Sequence, residues 1–99
     1  MKGIVWGSTI DRAEHQLQQI IADYRMMGYT IDTYRKGNTQ LNVAFNNGDY
    51  WIALGAFESA RGHCCNISYI DILIDTQFVD DVIRHCTRAY PYNALQYFG

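Results

Sequence analysis

Apolar and polar positions repeat with two different periods along the chain, and the switches between them mark the elements. Lys2 to Trp6 is a short apolar run closed by Gly7, which predicts a strand. Ser8 follows as a helix N-cap, with Asp11 as a weak capping-box partner. Ile10, Ala13, Leu17, Ile20, Ile21, Tyr24 and Met27 then recur at helical steps, while Glu14, His15, Gln18 and Arg25 fall on the other side. That spacing predicts an amphipathic helix, which Gly28 ends as a C′ glycine.

The period then shortens. Tyr29 to Arg35 and Thr39 to Phe45 read as strands around a Lys36-Gly37-Asn38 turn. In the second, Leu41, Val43 and Phe45 share one face and Gln40 and Asn42 the other. Asn46-Asn47-Gly48-Asp49 is a strong hairpin signal, because Asn and Gly tolerate positive φ. Tyr50 to Leu54 is the partner strand. Gly55 to Asn66 has no clear period and reads as a loop. Ile67 to Leu73 is nearly continuously apolar, as in a parallel strand buried on both faces. Asp75 or Thr76 caps a second helix whose buried stripe is Phe78, Val79, Val82, Ile83 and Cys86. Pro91 ends anything helical, and an aromatic tail closes the core or an oligomer contact. The order β-α-β-β-β-β-α predicts one α/β domain over residues 1–99, a mixed sheet of about five strands with two main helices. A parallel neighbour for the first strand requires a right-handed crossover through the first helix.

Composition narrows the partners. The 99 residues carry a formal charge of −2, which lacks the basic footprint of a duplex-DNA binder. A domain of this size buries roughly 60–70% of its unfolded surface. Self-association would add to that, and the 8 Tyr and 2 Trp supply adhesive area, so a homo-oligomer is expected. The three cysteines, Cys64, Cys65 and Cys86, form no disulfide pattern, and no segment approaches the length of a membrane span. The expected location is the cytoplasm, with no membrane partner and reduced thiols.

A family likeness lies in the middle and late residues. The Asn47-Gly48 hairpin, the Ser59-Ala60-Arg61-Gly62 loop, the apolar strand Ile67 to Asp71 and the helix Phe78 to Ile83 follow in order. This succession resembles the ATPase core of phage terminase large subunits. It implies a P-loop-type α/β fold and a phage or prophage origin. Two departures bear on activity. The chain contains no G-x-x-x-x-G-K-[S/T], so the phosphate cradle and its lysine are missing. The Walker-type Asp-Glu is broken, since Ile72 follows Asp71 and Thr76 follows Asp75. The likeness therefore implies a relative stripped of ATP hydrolysis.

Several constellations carry candidate chemistry. Ser59, Arg61, the backbone at Gly62 and His63 can bind a phosphate, against the plainer account of a surface loop. Ser8 and Thr9 stand at a helix N-terminus, which favours anions, against plain capping. If strands one and five are neighbours, Gly7 to Thr9 and the Arg61 loop share a crevice at the strand ends. Asp71 lies inside an apolar strand and needs a partner, for which Arg61 or His63 is expected. His63, Cys64, Cys65, His85 and Cys86 lack zinc spacing and are better explained by packing, so no metal and no cofactor are assigned. Asp75, Asp80 and Asp81 suit a helix N-terminus. Tyr90, Tyr92, Tyr97 and Phe98 are candidates to stack on a base.

The leading expectation is a non-catalytic binding protein of phage origin, acting in the host cytoplasm in counter-defence or regulation. It would sequester a nucleotide-like, phosphate-bearing ligand or block a host defence protein, through Ser8, Thr9, Ser59, Arg61, Gly62, His63 and Asp71. The alternatives are a nucleic-acid or DNA-packaging accessory, which the low basic content disfavours, and a small hydrolase or nuclease using the aspartates or a Cys–His pair, which Asp71→Asn or Cys65→Ser would inactivate.

Overall fold

A computed structural model describes residues 1–56, 63–87 and 95–99. Its elements are β1 (Lys2–Gly7), α1 (Ile10–Met26), β2 (Ile31–Lys36), β3 (Gln40–Phe45), β4 (Tyr50–Gly55) and β5 (Ile67–Asp71). A second helical segment runs as α2 (Thr76–Phe78), a π-helical turn (Val79–Ile83) and α3 (Arg84–Cys86), and β6 (Leu95–Phe98) ends the chain. The six strands form one sheet in the order β2-β3-β4-β1-β5-β6. β1 runs parallel to both β4 and β5, and β6 runs parallel to β5. β2-β3-β4 is an antiparallel meander. The crossover through α1 thus leads to the far edge, and the meander brings the chain back beside β1. The mixed α/β sheet is as expected, with one strand more than the aromatic tail suggested.

Each face of the sheet buries its own apolar set. Ala13, Leu17, Ile20, Ile21 and Tyr24 of α1 lie on Val5, Leu41, Val43, Phe45, Trp51 and Ala53. Val79, Val82, Ile83 and Cys86 cover Ile4, Trp6, Ile52, Leu54 and Ile70 on the opposite face. At roughly 25 cal/mol per Å² of apolar area removed from water, these two layers are the main favourable term in folding. No helix among the described residues is long and apolar enough to cross a membrane.

Local chemistry sets the element ends. Gly28, at φ +92, stops α1, and Gly48, at φ +92, turns the β3–β4 hairpin. Gly7 is needed for a different reason. A Cβ there would collide with the Thr9 carbonyl oxygen and the Ala13 nitrogen, so only glycine lets β1 pass so tightly into α1. The α1 cap is Thr9 rather than Ser8: its side chain accepts the Arg12 N–H at 3.2 Å, because the Ser8 side chain is engaged elsewhere. β5 stops at Asp71, two residues before the predicted end. The Asp71 side chain accepts the Leu73 N–H and its carbonyl accepts the Ile74 N–H, which curls the chain into a turn. Asp75 caps α2, accepting the Gln77 N–H at 2.9 Å.

Candidate functional site

The loops leaving β1 and β5 depart on opposite faces of the sheet. The β1 loop enters α1 on one face, and the β5 loop enters the second helical segment on the other. That divergence makes a crevice at the carboxyl ends of two parallel neighbours, the usual ligand position in open α/β sheets.

Asp71 occupies the crevice floor and is fully buried. Five donors from the described residues converge on its carboxylate. Oδ2 accepts the Arg12 Nε–H at 2.6 Å, the Ser8 hydroxyl at 2.7 Å and the Ser8 N–H at 2.9 Å. Oδ1 accepts the Arg12 Nη2–H and the Leu73 N–H, both at 3.0 Å. Burial alone would raise the carboxyl pKa. The Arg12 guanidinium and the Ser8 hydroxyl outweigh it and hold the group well below the usual carboxylate range. The Arg12 side chain is 38% exposed, so the pair reaches from the core to the rim.

Beside this latch lies a cleft of about 430 Å³, lined by Ser8, Ala56, Leu73, Asp75, Phe78 and Asp81 among others. Phe78 stands edge-on to Trp6 at 6.1 Å, which fixes that wall on the core. Among the described residues that line the cleft, the acids are Asp75 and Asp81, and the Asp81 carboxylate accepts the Gln77 amide at 2.8 Å. Asp81 and Val82 belong to the π-helical turn, a local widening common at functional sites.

The candidate residues separate. Ser8 and Asp71 meet directly, and Thr9 is one residue away at the cap. Both donors of Ser8 are spent on Asp71, and the Thr9 side-chain oxygen accepts the Arg12 N–H as the cap of α1. Among the described residues the partner of Asp71 is Arg12, not His63. His63 lies near Lys2, at the opposite end of β1, where burial first and that lysine second lower its pKa. Ser59, Arg61 and Gly62 fall outside the described residues, as do Tyr90 and Tyr92. Cys65 is buried in a polar knot: Ser68 Oγ accepts the Trp6 indole N–H at 3.0 Å and lies 3.3 Å from Cys65 Sγ and 2.7 Å from Thr87 Oγ1. Burial pushes the Cys65 thiol up, which suits packing better than nucleophilic attack. No group of acids, histidines and cysteines among the described residues is arranged to hold a metal ion.

The chain is thus an α/β sheet protein with a switch-point crevice closed by an internal ion pair. The same architecture occurs in the large terminase of a thermophilic bacteriophage. Its crystal form 2 matches with a TM-score of 0.66 and 16% identity, covering 97% of this chain and 25% of that one. The form bound to ATP-γ-S matches at a TM-score of 0.67 and 16% identity, covering 97% and 24%. The ADP complex matches at 0.64 and 14%, again covering 97% and 24%. At such identity the likeness concerns the fold, and this chain spans about a quarter of the terminase's length. No family model matches the chain, and no curated protein matches it in sequence.

Proposed function

We propose that this chain is a non-hydrolysing, terminase-like module of phage origin that serves DNA packaging by binding a protein of the packaging apparatus. The supporting observation is that a sheet shared with a large terminase over 97% of the chain has its crevice carboxylate already spent. In a P-loop motor the corresponding aspartate must hold Mg²⁺. Here a metal would have to displace Arg12, two Ser8 donors and a backbone N–H from Asp71. Ile72 stands where that family carries glutamate, and the sequence contains no G-x-x-x-x-G-K-[S/T]. A net charge of −2, with Asp75 and Asp81 in the cleft lining, favours a protein partner over direct contact with DNA. The test is co-expression with the large terminase from the same genome, followed by native mass spectrometry and an ATPase assay. A stable complex, with no turnover by the small chain alone, is expected. Absence of a complex, or ATP turnover abolished by Asp71→Asn, would overturn the proposal.

The cleft favours a second reading, in which the chain sequesters a nucleotide-like ligand or blocks a host protein in counter-defence. Its volume of about 430 Å³ lies within the range of small-molecule sites, and Phe78 offers an aromatic wall. Arg12 would have to swing from Asp71 to meet a phosphate. A thermal-shift panel of nucleotides, dinucleotides and cyclic signals tests this. A shift lost in both Arg12→Ala and Arg61→Ala supports it, and a flat panel with a clean apo mass removes the small-ligand form.

A further inference from the structure

The two edges of the sheet are built differently. β2, at one edge, carries Asp32, Arg35 and Lys36 and is irregular between Ile31 and Thr33. Charges and a bulge are the usual means of keeping an edge from pairing with another chain. β6, at the other edge, is Leu-Gln-Tyr-Phe, with no charge, no proline and an unbroken register to β5. The Phe98 carbonyl accepts the Ile72 N–H, so Phe98 and Gln96 point their backbone groups toward β5. In a strand the alternate residues point theirs the other way. The N–H and C=O groups of Leu95 and Tyr97 therefore face outward along this edge.

The surface beside β6 is apolar. Ile72 and Tyr97 are 61% and 55% exposed. A groove of about 320 Å³ lies between β6 and the second helical segment, lined by Ile72, Ile74, Val79 and Tyr97. Thr76 and one ion pair also line it, Arg84 Nε–H to Asp80 Oδ1 at 2.9 Å, with both side chains of the pair more than half exposed. The patch thus presents an acid and a base side by side. Under a two-fold axis each Asp80 faces the other copy's Arg84 and no like charges need meet, so the patch is complementary to itself.

We propose that a second copy of this chain docks here, β6 against β6 in antiparallel fashion, extending the sheet across a two-fold axis. With the axis at Gln96, Leu95 of each copy pairs with Tyr97 of the other and the outward N–H and C=O groups are exchanged. The two Tyr97 side chains then close over the apolar grooves. This proposal stands independently of the packaging role. It is tested by native mass spectrometry and light scattering of the full chain between 1 and about 100 µM, the range in which weak dimers of small domains become visible. A dimer is expected. Tyr97→Pro removes an outward N–H not bonded to β5 and should return the protein to monomer with its circular dichroism intact. Asp80→Arg should weaken the dimer at least ~10-fold by placing two bases on each side. The swap Asp80→Arg with Arg84→Asp should restore it. A monomer throughout the range overturns the proposal. So does a dimer unchanged by both Tyr97→Pro and Asp80→Arg. Should Tyr97→Pro fail to fold, Tyr97→Asp, exposed and outside the core, gives the same reading.

Discussion

Asp71→Asn tests the latch most directly. The substitution keeps the shape and one acceptor oxygen but replaces the other by an NH₂ donor. Placed to best advantage, the remaining oxygen still meets the Ser8 donors and Arg12 Nε–H, while the new NH₂ faces Arg12 Nη2–H and the Leu73 N–H. The Leu73 N–H is held by the turn and loses its acceptor, a loss of roughly 1–3 kcal/mol. Bonds that remain change from charge-assisted to neutral, roughly halving each. Breaking a buried pair costs about 3–5 kcal/mol. The exposed side of Arg12 returns to water, which puts the expectation near the bottom of that range, about 3 kcal/mol. For a domain of about 100 residues each kcal/mol moves Tm by about 4–8 °C, so a fall of roughly 12–24 °C follows. Urea denaturation at pH 7 measures it, and a loss below about 1 kcal/mol would refute the assignment of Asp71 as the charged centre of the crevice.

The pH dependence provides the sign. Asp71 titrates near 3.9 in the unfolded chain and well below that in the folded one. Its contribution is therefore complete above about pH 5. Below about pH 4 the unfolded chain takes up a proton that the native state refuses, and the contribution drains as pH falls toward the folded value. The gap between wild type and Asp71→Asn should shrink steadily from pH 5 to pH 2. A gap that stays constant over that range would mean that the carboxylate's charge is not what the variant removes.

Three further outcomes follow from other parts of the molecule. Ser68→Ala strands the Trp6 indole N–H in the core and should cost about 1–3 kcal/mol in urea denaturation, with the sheet intact by circular dichroism. Tyr24 is pushed up to about 12, first by burial and then by Asp49, so an ultraviolet titration should show a late ionisation step that Tyr24→Phe deletes. Of the three thiols Cys64 is exposed while Cys65 and Cys86 are buried. A thiol reagent on the native protein should therefore titrate one rapidly, and the other two only in denaturant.

Elements held by local rules were legible in the sequence. The α1 stripe, the Gly28 stop and the Asn47-Gly48 hairpin each depend on residues a few positions apart, and each is where the pattern put it, except that Met27, expected in the stripe, caps the helix and is exposed. Errors arose where a distant partner decided. Ser8 caps no helix because Asp71, 63 residues on, takes its hydroxyl. β5, by contrast, ends early for a local reason, an Asx-type turn in which the same carboxylate accepts the N–H of Leu73 two residues on, which the apolar run masks. β6 was invisible because four residues after a proline-containing tail carry no period of their own, and only β5 beside them makes a strand.

The crevice shows where such inference stops. That Asp71 needs a partner follows from its apolar strand alone, since a buried carboxylate without donors is prohibitively costly. Which partner it takes depends on where the crossovers place the helix ends, and that is a property of the whole sheet. Arg61 and His63 were nearest in sequence, but a strand's length separates His63 from the carboxylate end of β5. Arg12 lies on the first turn of α1, which must start beside the end of β1 and hence beside the end of β5 once those strands pair. The usable signal was therefore conditional. Given β1 next to β5, a base in the first turn of the helix after β1 is the residue placed to neutralise an acid at the end of β5. The same condition explains why the helix start carries a cation although its dipole disfavours one there: the carboxylate it must reach sits at that end of the sheet.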